Sequence, residues 1–160
     1  MYNLPQNENV QENYENMVLT IQSMFEDEKN IYANLANISS VINVYVNRIN
    51  WVGFYLLIED ELVLGPFQGR PACTRIKPGN GVCGRSALEK KTFVVDNVHD
   101  FPGHIACDSN TNSEIVIPIY KNNEIWGVLD VDSPELNRFT DLEKLYLEKI
   151  AVILSDFLSC

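Results

Sequence analysis

The periodicity of the apolar residues changes at Asn50, and that change limits the chain to helices layered on a sheet. Before it, Tyr14, Met17, Val18, Ile21 and Phe25 recur at helical spacing, and so do Ile31, Leu35, Ile38, Ile42 and Tyr45. After it, INWVGFYLLI is rich in β-branched and aromatic residues, EDE turns the chain, and LVLGPF runs back. A short helix is expected from about Val82 to Glu89, then a strand at TFVV and a hairpin over SEIVIPIY-KNN-EIWGVLDVD. Thr140 and Glu143 form a capping box, T-D-L-E, in which each side chain satisfies a free N–H of the first turn. It opens a last helix with Leu142, Tyr146, Ile150, Leu154 and Phe157 on its apolar face. Helices at both ends and an antiparallel sheet between them make an α+β layer architecture.

With 160 residues the chain suits a single domain over 1–160, in which residues 1 to about 28 are an N-terminal helical extension. A domain of this size buries roughly two-thirds of its unfolded surface and needs no disulfide or metal staple. The formal net charge of -10 argues against a nucleic-acid partner, since phosphate binding needs clustered Lys and Arg. The polar, acidic N-terminus is not expected to be a secretory signal, and no apolar run is long enough to span a membrane. A cytoplasmic location follows as the expectation. There thiols stay reduced, and the four cysteines are catalytic, metal-binding or merely buried rather than structural bridges.

Two long irregular stretches, Gln68 to Gly81 and Asp96 to Ser113, interrupt the pattern, and such loops are often functional. Cys73, Cys83 and Cys107 lie in or beside them, separated by nine and then twenty-three residues. Zinc sites usually show a close C-x-x-C pair, which is missing; C-x9-C…H-x2-C with His104 remains a weaker metal alternative. His99 and His104 could otherwise tune such a site, but the favoured reading is of solvent-facing loop residues.

In the hairpin, a three-residue loop, Lys121-Asn122-Asn123, aligns the apolar sets Ile115, Ile117, Ile119 and Ile125, Gly127, Leu129, Val131. Glu114 then lies opposite Asp130, with Asp132 diagonal, on a face that also holds Trp126. The three carboxylates form either a solvated sheet end or a cluster whose mutual repulsion raises a pKa and creates an acid near neutral pH. Trp51 and Tyr55, four apart on one strand, share a face as core residues or as a wall for a small apolar group.

GRPACTRIKPGNGVCG, DNVHDFPGHIACD, SEIVIPI and GVLDVDSP together resemble the free methionine-(R)-sulfoxide reductases, a catalytic branch of the GAF-domain superfamily, from about Asn30 to Phe157. The resemblance implies a GAF-like fold. Cys107 in GHIACD matches the nucleophile, Cys73 in RPACTRI the main resolving cysteine, and Cys83 in GNGVCG an auxiliary thiol. Glu114, Asp130 and Asp132 match the substrate-binding carboxylates, and Trp51 and Tyr55 the aromatic wall around the substrate methyl group. Cys160 lies outside the pattern. The implied partners are free methionine sulfoxide, thioredoxin as electron donor and a second copy of the chain in a homodimer; no bound cofactor or metal is implied.

A sulfoxide oxygen leaves only when protonated, so reduction needs a thiolate and an acid together. The expected product on Cys107 is a sulfenic acid, which a nearby thiol converts to a disulfide. The alternative from another class is a non-catalytic GAF module that binds a small ligand.

Overall fold

A computed structural model describes residues 1–105 and 107–160. Asparagine caps set both N-terminal helices. Asn9 accepts from the Glu12 N–H at the start of α1 (Val10–Asp27), and Asn30 from the Ala33 N–H at the start of α2 (Ile31–Tyr45). The strands are β1 (Trp51–Ile58), β2 (Glu61–Gly69), β3 (Arg75–Ile76), β4 (Phe93–Val95), β5 (Ser113–Lys121) and β6 (Glu124–Ser133). Helix α3 (Gly81–Glu89) follows β3, and the capping box of Thr140 and Glu143 opens α4 (Asp141–Ser159).

The six strands form one antiparallel sheet in the order β3-β2-β1-β6-β5-β4. Helices α1, α2 and α4 cover one face, where Met17, Ile38, Phe54, Ile117, Leu129 and Ile150 share the main core. On the other face a smaller core joins Trp51, Tyr55, Val116 and Val128 to Ile76 of β3, Val82 of α3 and Val98 of the segment after β4. The expected elements and layers are therefore present.

The β5–β6 hairpin departs from expectation in detail. Its turn has two residues, Asn122 and Asn123, both at positive φ (51° and 66°) as such tight turns require. Two residues alone would put the apolar sets on opposite faces. A bulge corrects this: Ile119 pairs with Gly127 but Tyr120 with Ile125, leaving Trp126 extra. Beyond it Ile115 faces Val131 and Ile117 faces Leu129, so the faces are as expected. The register differs by two: Glu114 lies opposite Asp132, not Asp130, and Asp130 opposite Val116. Trp126 leaves the carboxylate face and packs against the helical core, while Ile125 turns to the other side. Gly127 is needed beside the bulge, because a Cβ there would collide with the Tyr55 carbonyl oxygen.

Candidate active site

Strand β1 supplies two aromatic rings to the face opposite the helices. Trp51 and Tyr55 lie 5.9 Å apart at 24°, and Phe67 stacks on Trp51 at 5.2 Å. Their polar ends hold the loop after β2: the Trp51 indole N–H donates to the Arg70 carbonyl at 3.1 Å, and the Tyr55 hydroxyl to the Cys73 carbonyl at 3.0 Å. Two buried side chains thereby fix the segment that carries Cys73.

Cys73 is joined by a disulfide to Cys107 across a sequence separation of 34, with Cα atoms 5.4 Å apart. The loop behind Cys107 is tied to the sheet by polar groups. Asn50 donates to Asp108 Oδ2 and to the Thr111 hydroxyl, each at 3.1 Å, and that hydroxyl donates to Asp132 Oδ2 at 3.3 Å.

Under these loops lies a cavity enclosing about 490 Å³, its open mouth included. Cys107, Trp51 and Tyr55 line it, and so do Cys83 from α3 and the three carboxylates of the hairpin. Glu114 and Asp130 are each 6 % exposed, and Cys83 4 %. The Cys83 thiol donates to Glu114 Oε1 at 3.9 Å. Among the described residues Asp130 Oδ1 has no hydrogen-bond partner.

Burial pushes all three carboxyls well above the ordinary carboxylate range. Repulsion adds to it, from Asp132 on Glu114, from Glu114 on Asp130 and from Asp130 on Asp132. Burial and the same acids push the Cys83 thiol up. The site therefore favours the protonated form of these acids in the cavity that Cys107 lines, which is what an acid-assisted thiol reaction requires.

All eight residues singled out from the sequence meet here: seven line the cavity, and Cys73 is bonded to one of them. The zinc arrangement built on Cys73 and Cys107 is not assembled, since the two sulfurs are bonded to each other. His99 is exposed as expected, but His104 is not solvent-facing. Its side chain is 13 % exposed and its Nε2 stands 3.8 Å from Glu114 Oε2, with burial lowering its pKa. Asn50, Asp108 and Thr111 were not foreseen either; the one sequence signal for His104 is its place three residues before Cys107.

The chain matches the GAF domain family over residues 30–156. It is 49 % identical over 147 residues to GAF domain-containing protein A of Dictyostelium discoideum, covering 91 % of this chain and 92 % of that protein. It is 43 % identical over 151 residues to the free methionine-R-sulfoxide reductase of Escherichia coli (strain K12), covering 94 % and 92 %. Among solved structures, free methionine-R-sulfoxide reductase from Neisseria meningitidis in complex with its substrate superposes with a TM-score of 0.94 at 42 % identity, covering 99 % of this chain and 96 % of that one.

Proposed function

The chain belongs to the GAF domain family and, within it, to the free methionine-R-sulfoxide reductases, and on that footing we propose that it reduces free L-methionine (R)-S-oxide to L-methionine with Cys107 as the nucleophile. The observation that carries this reading is the disulfide of Cys107 and Cys73 at a cavity lined by three acids, Glu114 and Asp130 buried and Asp132 half-buried.

The Cys107 thiolate attacks the sulfoxide sulfur while a protonated carboxyl of Glu114, Asp130 or Asp132 donates to the departing oxygen. General acid help of this kind typically contributes about 10²–10⁴-fold. Methionine leaves with its sulfur reduced by two electrons, and Cys107, oxidised by two, keeps the oxygen as a sulfenic acid. Cys73 condenses with it, releasing water and forming the disulfide. The dithiol of thioredoxin then reduces that bond and is itself oxidised. Trp51 and Tyr55 wall the substrate methyl group, and the carboxylates bind its ammonium, which selects a free amino acid over a residue within a protein. Cys83 acts as an auxiliary thiol; burial among acids keeps it protonated and a weak nucleophile, which favours Cys73 as the resolving partner.

The reading extends to a cytoplasmic enzyme without a bound cofactor that works as a homodimer. Among the described residues no helix is long and apolar enough to cross a membrane. Leu145 and Val152 are exposed on α4 beside Val18, an apolar patch that a second copy would cover.

The test is NADPH oxidation coupled through thioredoxin reductase and thioredoxin. Turnover is expected with the free R epimer, and little with the S epimer or a peptide-bound sulfoxide. Cys107→Ser should abolish it; wild-type turnover in that variant overturns the assignment. Cys73→Ser should release the first methionine per chain at the normal rate and then recycle more slowly, with Cys83 substituting in part.

A further inference from the structure

We propose that the floor of the cavity is a binding site for a thiophilic divalent cation of the zinc and cadmium class, held by the Cys83 thiolate and one oxygen each from Glu114 and Asp130. These three donor atoms all lie within 4.8 Å of one another, on three buried side chains drawn from α3, β5 and β6. The Cys83 sulfur and Glu114 Oε1 are 3.9 Å apart. Around a tetrahedral zinc ion a sulfur and an oxygen ligand sit about 3.5 Å apart, and two oxygens about 3.3 Å. The donors are thus already within about 1.5 Å of ligand spacing.

A second observation points to a ligand at this place. Asp130 is 6 % exposed, lines the cavity, and has a buried Oδ1 with no hydrogen-bond partner among the described residues. A buried acceptor left unpaired is costly, so something positive belongs there, a proton or a cation. The surroundings supply no alternative charge, since His104 is the one basic side chain among the described residues that line the cavity. Three anionic donors bind a divalent ion with a single net negative charge left over. The thiolate selects for zinc or cadmium against magnesium and calcium, which take oxygen ligands. The fourth coordination position faces the open cavity.

Cys83 remains a free thiol while Cys73 and Cys107 are paired. The site is therefore complete in the disulfide form, and metal bound there occupies carboxylates that the proposed reaction needs. The cation acts as an inhibitor of the resting enzyme rather than as a cofactor.

The experiment is a titration of the full-length disulfide form with cadmium, read by the ultraviolet thiolate-to-metal charge-transfer band. One equivalent should saturate the band. It should vanish in Cys83→Ser and persist unchanged in Cys160→Ser, the other free cysteine. Glu114→Gln and Asp130→Asn keep the thiol and should each weaken binding by more than about tenfold, as loss of a ligand must exceed loss of an outer contact. No band, or a band that follows Cys160, overturns the proposal. Unchanged affinity in both carboxylate variants overturns it as well, even if Cys83→Ser fails to fold. The titration needs no turnover, so its outcome is independent of the reductase reading.

Discussion

Replacing Asp130 by Asn should make the folded protein more stable at neutral pH while disabling the site. Oxygen atoms of Asp130 and Glu114 lie no more than 4.8 Å apart, buried on one face of the hairpin. At an effective dielectric of about 20, two charges at that distance repel by about 3.5 kcal/mol. The protein escapes part of this by retaining a proton, because burial and the neighbouring carboxylates push both groups well above their usual range. An acid whose pKa is raised by folding keeps a proton that the unfolded chain releases. Its effect is therefore a loss of stability as pH rises from the unfolded value near 4 through the folded one. Asn has the same shape, carries no charge, and turns an unpaired acceptor into a donor for Glu114. The gain should be about 1–3 kcal/mol at pH 8 and near zero at about pH 3.5, below the unfolded pKa, equivalent to several degrees in Tm. Urea unfolding of both proteins in the disulfide form, at both pH values and with unchanged m, measures it. An Asn variant less stable than wild type by the same amount at both pH values would refute the reasoning, for it would mean the carboxylate is held by favourable contacts.

A contrasting carboxylate stands behind the sheet. Burial raises the pKa of Glu143, but Thr140, Arg138 and Tyr14 outweigh it and bring it down to about 2. That depression contributes about 3 kcal/mol above the unfolded pKa, lost as pH falls through 2, so Glu143→Gln should lower neutral-pH stability by that order and flatten the acid limb of the unfolding curve. Reducing the Cys73–Cys107 bond, which closes a segment of separation 34, should cost up to about 4 kcal/mol, visible as a fall of roughly 8–15 °C in Tm by calorimetry. Tyr55→Phe removes the hydroxyl that holds the Cys73 carbonyl and should slow disulfide formation about three- to tenfold, leaving methionine release in a single turnover less affected.

Which parts of this arrangement are legible in the sequence follows from how local their causes are. The helical stripes of α1 and α2 and the Thr140–Glu143 box are set by residues within a few turns of each other, and each is found where its pattern put it. The alternation along β5 and β6 assigns Glu114, Asp130 and Asp132 to one face, and the fold keeps them there. The bulge at Trp126 was hidden, because an extra residue leaves the period-2 pattern intact on both sides and only shifts one against the other. A shift of two preserves every face, so the acid cluster survived an error in register that exchanged Asp130 for Asp132 as the partner of Glu114. The burial of His104 was hidden for another reason. Its apolar neighbours Phe101 and Ile105 form no periodic pattern that would bury it; what marks its place is the long-range approach of its Nε2 to Glu114. The network of Asn50, Asp108, Thr111 and Asp132 likewise joins three separate segments that no local pattern connects.

An acid cluster beside a nucleophilic cysteine is a contradiction unless its charge is conditional. Three permanent carboxylates would oppose the Cys107 thiolate, and three permanent acids would have no hold on an ammonium group. Burial removes the contradiction. In the cavity burial and mutual repulsion favour carboxyls that keep their protons, in keeping with the unpartnered Asp130 oxygen. A bound cation reverses the balance: each positive charge that enters lowers the energy of an adjacent carboxylate and frees its proton toward the cavity, where the sulfoxide oxygen would lie. In the proposed reaction the substrate's own ammonium would then select the free amino acid and supply the positive field that a thiolate at Cys107 needs. A peptide-bound sulfoxide brings no such charge. Discrimination and activation are thus one electrostatic event, and a metal ion that takes the ammonium's place without bringing a sulfoxide would block both.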